Sequence, residues 1–147
     1  MGNISGIYLG LTLIGFVLLV VALVAIFYRP AKRLKVDCAF KDGNDNSLNS
    51  ILRIDIENVG KRTMKLMPLY IRFSHTNHSK LFAVKPELLH IRFPRMIKIG
   101  EKLTCELDLK HYDQLLKTHS LIPTHLKVIV NDSAGLDFES HSLDLKV

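Results

Sequence analysis

The pattern of apolar and polar positions divides the chain at Tyr28. Residues 7–28 (IYLGLTLIGFVLLVVALVAIFY) form one apolar block without a charged side chain. At about 1.5 Å of rise per residue the block makes a helix of about 33 Å, slightly longer than the roughly 30 Å hydrocarbon core of a bilayer. It therefore reads as a single transmembrane helix. Beyond residue 33 the period changes to two. Leu34, Val36, Cys38 and Phe40 share one face of a first predicted strand, and Leu52, Ile54 and Ile56 alternate with Arg53, Asp55 and Glu57 in a second. Asn58 to Arg62 reads as a turn in which Asn and Gly supply positive-φ positions. A third strand is predicted from Thr63 to Phe73, at a sheet edge or bulged, because Pro68 has no N–H for a ladder. Residues 75–80 read as a polar loop, 81–84 as a short strand, and 86–89 as one helical turn opening on proline. Leu103, Cys105, Leu107 and Leu109 alternate again. Residues 111–117 suit a short helix linking two sheets, and further strands run through Leu126, Val128 and Val130 and from Phe138 to Val147.

About seven short strands with frequent turns predict a mainly β fold, an antiparallel β-sandwich of immunoglobulin-like type behind the N-terminal transmembrane helix. The expected boundaries are a tail at 1–6, the helix at 7–28, a basic linker at 29–33 and the sandwich at 34–147. The absence of Trp excludes the antibody type, whose tryptophan packs on an intersheet cysteine pair.

Charge gives this picture a direction. All 20 lysines and arginines and all 14 acids follow Tyr28, so the net charge of +6 belongs to the later part. Arg29, Lys32, Arg33 and Lys35 crowd the expected membrane interface, where each meets anionic lipid at about 1 kcal/mol. The positive-inside rule then puts the N-terminus outside an inner membrane and the sandwich in the cytoplasm. A cleaved signal peptide fits poorly, since a basic cluster stands where the cleavage site belongs. Gly6 and Gly10 start the apolar run at a spacing that lets helices approach closely, which suggests a homo-oligomer or a partner helix. Cys38 and Cys105 are too few and too far apart for a disulfide framework or zinc spacing. Buried free thiols are expected, with one inter-strand disulfide as the alternative in an oxidising compartment.

Three pieces carry a resemblance. Ile54-Asp55-Ile56-Glu57-Asn58-Val59-Gly60-Lys61-Arg62-Thr63-Met64-Lys65-Leu66, Ile99-Gly100-Glu101-Lys102-Leu103 and Val130-Asn131-Asp132-Ser133-Ala134-Gly135 resemble the turns and strand starts of immunoglobulin-like sandwiches. In this order behind an N-terminal helix, they are similar to single-pass bacterial membrane proteins. The resemblance implies a fold and no activity, because its motifs describe turns and function lives in sites.

No phosphate loop, dinucleotide fingerprint or nucleophile elbow occurs, so no catalytic residue, cofactor or metal is expected. His75-x-x-His78 lacks the third and fourth ligands zinc needs, His90 and His111 having no motif context. His111, His119 and His125, with Asp108 and Asp113, suggest acid–base chemistry without a nucleophile. Arg72, Arg92, Arg95 and Lys98, interleaved with Phe73 and Phe93, are candidate anion-binding residues. The expected function is a non-enzymatic, membrane-anchored interaction or scaffold module within a membrane complex, with lipid and a protein partner. The alternative is a sensor whose basic domain binds a nucleotide or other anionic signal; DNA binding is not expected. A small hydrolase using residues 111–125 is a third reading.

Overall fold

The computed structural model describes residues 4–27, 33–41 and 47–146; within the first helix the side chains described are those of residues 6 and 8–24. The chain divides into two compact units, Met1–Pro30 and Ala31–Val147.

The first unit is helix α1, Ile4–Phe27. Inside the apolar run Thr12 Oγ1 donates to Tyr8 O and Leu9 O at 2.9 Å, so that side chain is satisfied within the helix. The described apolar side chains are exposed, from Val20 at 40% to Leu9 at 71%. The expected transmembrane span at 7–28 is corrected here. Among the described residues no helix is long and apolar enough to cross a membrane.

The second unit is mainly β, with ten strands among the described residues where about seven were expected. They are β1 (Leu34–Phe40), β2 (Ile51–Asn58), β3 (Met64–Leu66), β4 (Tyr70–His75), β5 (His78–Ala83), β6 (Arg95–Ile97), β7 (Lys102–Asp108), β8 (His125–Asn131), β9 (Asp137–Glu139) and β10 (Leu143–Asp144). Helix α2 (Pro86–Leu89) precedes β6, and α3 (Lys110–Thr118) joins β7 to β8. One sheet has the order β1-β2-β7, a second β10-β8-β4-β5 with β9 also on β8, and a third pairs β3 with β6. All described pairings are antiparallel.

Alternation fixes which face each strand buries. In the first sheet the rows Val36–Ile56–Leu103, Cys38–Ile54–Cys105 and Phe40–Leu52–Leu107 lie across the three strands. Ile71 and Phe73 of β4 stand opposite Val128 and Leu126 of β8 in the second sheet, all at 0% exposure. These rows join one hydrophobic core. Ser140 pins the two sheets together: its Oγ accepts the Cys38 thiol of β1 at 3.1 Å and the Val128 N–H of β8 at 3.0 Å, and donates to His141 O.

Three strand expectations change. The third predicted strand breaks after Leu66, and beyond Pro68 the chain enters a different sheet. There β4 lies between β5 and β8, so it is no edge. The last predicted strand breaks into β9 and β10 around Ser140. Residues 75–80, expected as a loop, close the β4–β5 hairpin instead. The Asn58 turn is held by a side chain: Asn58 Oδ1 accepts Gly60 N–H at 3.0 Å, while Nδ2 donates to Arg62 O and Ile97 O. Gly100, at φ 73°, and Gly135, at φ 80°, supply left-handed turns.

Candidate functional site

Cross-strand register decides what the β4–β5 hairpin shows to the interior. Ile71 pairs with Phe82, Phe73 with Lys80 and His75 with His78, so a buried phenylalanine face ends in two histidines at the hairpin tip. Helix α3 lies against this face through Tyr112 and Leu116, which are buried one turn apart. The Tyr112 ring sits 5.6 Å from Phe73 and 5.9 Å from Phe82, and Phe82 lies 5.7 Å from His119. Asp113 and Lys117, i and i+4 on the exposed side of α3, pair at 2.6 Å.

The end of α3 brings a second segment to the tip. Ser120 N–H donates to Lys117 O and Leu121 N–H to Leu116 O, both at 3.0 Å, which is the double reverse bond of a Schellman cap. Such a cap requires a left-handed residue, and Ser120 supplies it at φ 52° where glycine is usual. Thr76 in the hairpin turn is also left-handed, at φ 46°. A β-branched residue rarely takes that conformation. The two strained turns frame a hollow of about 740 Å³. Three histidines, His75, His78 and His119, line it with Lys80, Asn77 and the hydroxyls of Ser79 and Ser120, beside Leu121 and Ile122. Nδ1 of His75 is buried and has no hydrogen-bond partner among the described residues.

Other hollows differ in charge. One beside α3 includes Lys110, His111 and Asp113, one beside β1 includes Asp37, Asp55 and Asp144, and a smaller one includes Glu87, His90 and Arg92. Each has at least one carboxylate; none lines the histidine hollow.

The residues singled out from sequence fall in several places. Arg72 on β4 pairs with Glu139 at 3.0 Å, Arg95 on β6 with Glu101 at 3.7 Å, and the Lys98 backbone N–H donates to Glu101 Oε2. Of the four candidate anion binders only Arg92 lines the Glu87 hollow. Arg29 and Lys32 lie outside the described residues. Arg33 is exposed, and Lys35 pairs with Asp37 at 2.9 Å, whose hydrogen bond and charge raise the ammonium above its usual value. A Cβ placed on Gly6 or Gly10 meets no atom within 4 Å. The proposed acid–base histidines have separate neighbours: His111 stands edge-on to Tyr112, His119 lies tilted against Phe82, and His125 Nδ1 lies 2.8 Å from Asp144 Oδ1. Among the described residues no three His, Cys, Asp or Glu side chains gather closely enough to hold a metal ion.

Burial governs the titrating groups of the core. Both cysteines are free and buried. Desolvation raises the Cys38 thiol, against the Ser140 hydrogen bond, and pushes Cys105 up to about 12. These thiols are poor nucleophiles. Desolvation also pushes Tyr112 up to about 12. Asp55 goes the other way: desolvation opposes it, but the Thr104 hydroxyl and the Arg53 and Lys102 cations together hold its carboxyl below the usual range.

No protein-family model matches the chain, and no curated protein matches it. Among solved structures it is similar to a crystal structure assigned to ApaA of Bordetella pertussis, at 10% identity and a TM-score of 0.39, over 80% of this chain and 98% of that one. It is also similar to the X-ray structure of the structural-genomics target SoR45, at 13% identity and a TM-score of 0.36, over 80% of this chain and 87% of that one. Likenesses of this size define neither family nor activity. The mainly β character rests on the strands themselves.

Proposed function

We propose that this chain is a non-enzymatic interaction module, an immunoglobulin-like sandwich that offers the open edge of β5 to a strand of a protein partner. The observation that carries this reading is the position and exposure of β5. It ends the order of its sheet, and residues 78–81 are exposed, Leu81 at 53%. In strand addition the main chain supplies affinity and alternate side chains supply choice of partner. Lys80, paired with Phe73 in the hairpin register, is an exposed charge on the edge strand that discourages indiscriminate edge pairing. A partner strand answers it with an acidic side chain. The open space beside Gly6 and Gly10 favours association through α1 as a second contact.

A photo-crosslinking residue placed at Leu81 or at Glu106, on β7, tests the reading in cells, with mass spectrometry of the adducts. The Leu81 position is expected to capture one recurrent protein through an extended segment, and with the probe moved to Ser79 of the same strand Leu81→Lys is expected to abolish that capture. Equal capture from Glu106, or none from β5, removes the edge as the docking site.

A further inference from the structure

We infer that the hollow between the β4–β5 hairpin tip and the turn after α3 is a binding site for a small phosphate-bearing anion. Its polar lining is all donor-capable and carries no carboxylate: three imidazoles, one ammonium, two hydroxyls and the carboxamide of Asn77, the others being His75, His78, His119, Lys80, Ser79 and Ser120. Its volume of about 740 Å³ falls in the range of small-molecule sites. The donor types narrow the ligand. A carboxylate is best matched by the planar fork of arginine, and no arginine lines this hollow. Several single-point donors from two segments suit the multiple oxygens of a phosphoryl group.

Two further observations point the same way. His75 Nδ1 is buried with no partner among the described residues, a state that costs free energy unless a ligand or water completes it. Thr76 and Ser120, two non-glycine residues in left-handed geometry, stand at the two rims, and strain of this kind gathers at functional sites. At the α3 carboxyl end, Leu115, Leu116 and Lys117 O already accept N–H groups from residues 119–121, which blunts the negative end of the helix dipole beside the hollow. Protection of an edge strand accounts for Lys80 alone; it does not account for the histidines gathered beside it.

The test is a titration of the full chain with inorganic phosphate, read from the histidine ring protons by NMR. The rings of His75, His78 and His119 are expected to shift along one saturable curve, while those of His125 and His141 stay. Lys80→Gln and His78→Gln, both at exposed positions, are expected to weaken binding roughly tenfold each with unchanged circular dichroism. Still rings in the unaltered protein overturn the inference whatever the variants do. So does phosphate affinity that both variants leave intact.

Discussion

Tyr112 concentrates two opposing effects in one side chain. Its ring completes the contact of α3 with Phe73 and Phe82, yet its buried hydroxyl has no partner among the described residues. Removing an unpaired buried hydroxyl while keeping the ring is stabilising, so Tyr112→Phe is expected to raise unfolding free energy by about 1 kcal/mol in urea titration. A loss of that size would show that the hydroxyl has a partner in solution. Cys105 gives a pH dependence. Its thiol moves from about 9 to about 12 on folding. The folded state therefore keeps a proton that the unfolded chain releases. Stability is full below about pH 9 and falls above it, by about 1.4 kcal/mol per pH unit for each such proton, until the folded thiol ionises. Cys105→Ala is expected to be less stable at pH 7, from the cavity, but flatter between pH 9 and pH 10.5 in denaturant melts. An equal alkaline slope in both proteins would assign the loss to other groups. Asp55 acts at the opposite end: its lowered value favours the folded state above the usual carboxylate range, and that contribution fades as pH falls through it.

At the scale of elements, alternation made β1, β2 and β7 legible with their buried faces, because each of these strands stays in one sheet. It failed where the chain changes sheets. Leu66, Leu69, Ile71 and Phe73 are all at 0% exposure on both sides of Pro68, so burial continues while the pairing partner changes. Nothing in a hydrophobic pattern records which neighbour a strand takes. The histidine hollow was illegible for a related reason. His75 and His78 reach His119 only through register and a helix cap, and the residues that make the turns, Thr76 and Ser120, are not the glycine or asparagine that announce left-handed backbone. That cap yields a prediction. Ser120→Gly relieves the left-handed strain and is expected to stabilise the domain by about 1 kcal/mol in thermal melts. Destabilisation would mean that the Ser120 hydroxyl matters more to the fold than the backbone strain.

At the scale of the whole molecule, the apolar block was legible as a helix but not as a span. The second unit has its own core of buried residues drawn from Leu34 to Leu145. Residues 31–147 alone are accordingly expected to unfold in a single cooperative transition, and a broad, probe-dependent melt would contradict that. One row of this core has a temporal consequence. Cys38 and Cys105 flank Ile54 from the two outer strands of a three-stranded sheet, which places their Cα atoms roughly 9–10 Å apart, beyond the roughly 7 Å a disulfide tolerates. Their free state therefore reports geometry and says nothing about the redox compartment. It also sets an order of events. A Cys38–Cys105 bond formed before folding leaves no room for β2 between its neighbours, so oxidant is harmless to the finished domain and blocks folding of the nascent one until the bond is reduced. Refolding with oxidised glutathione is expected to strand a reductant-rescuable fraction, and the same oxidant added after folding to strand none.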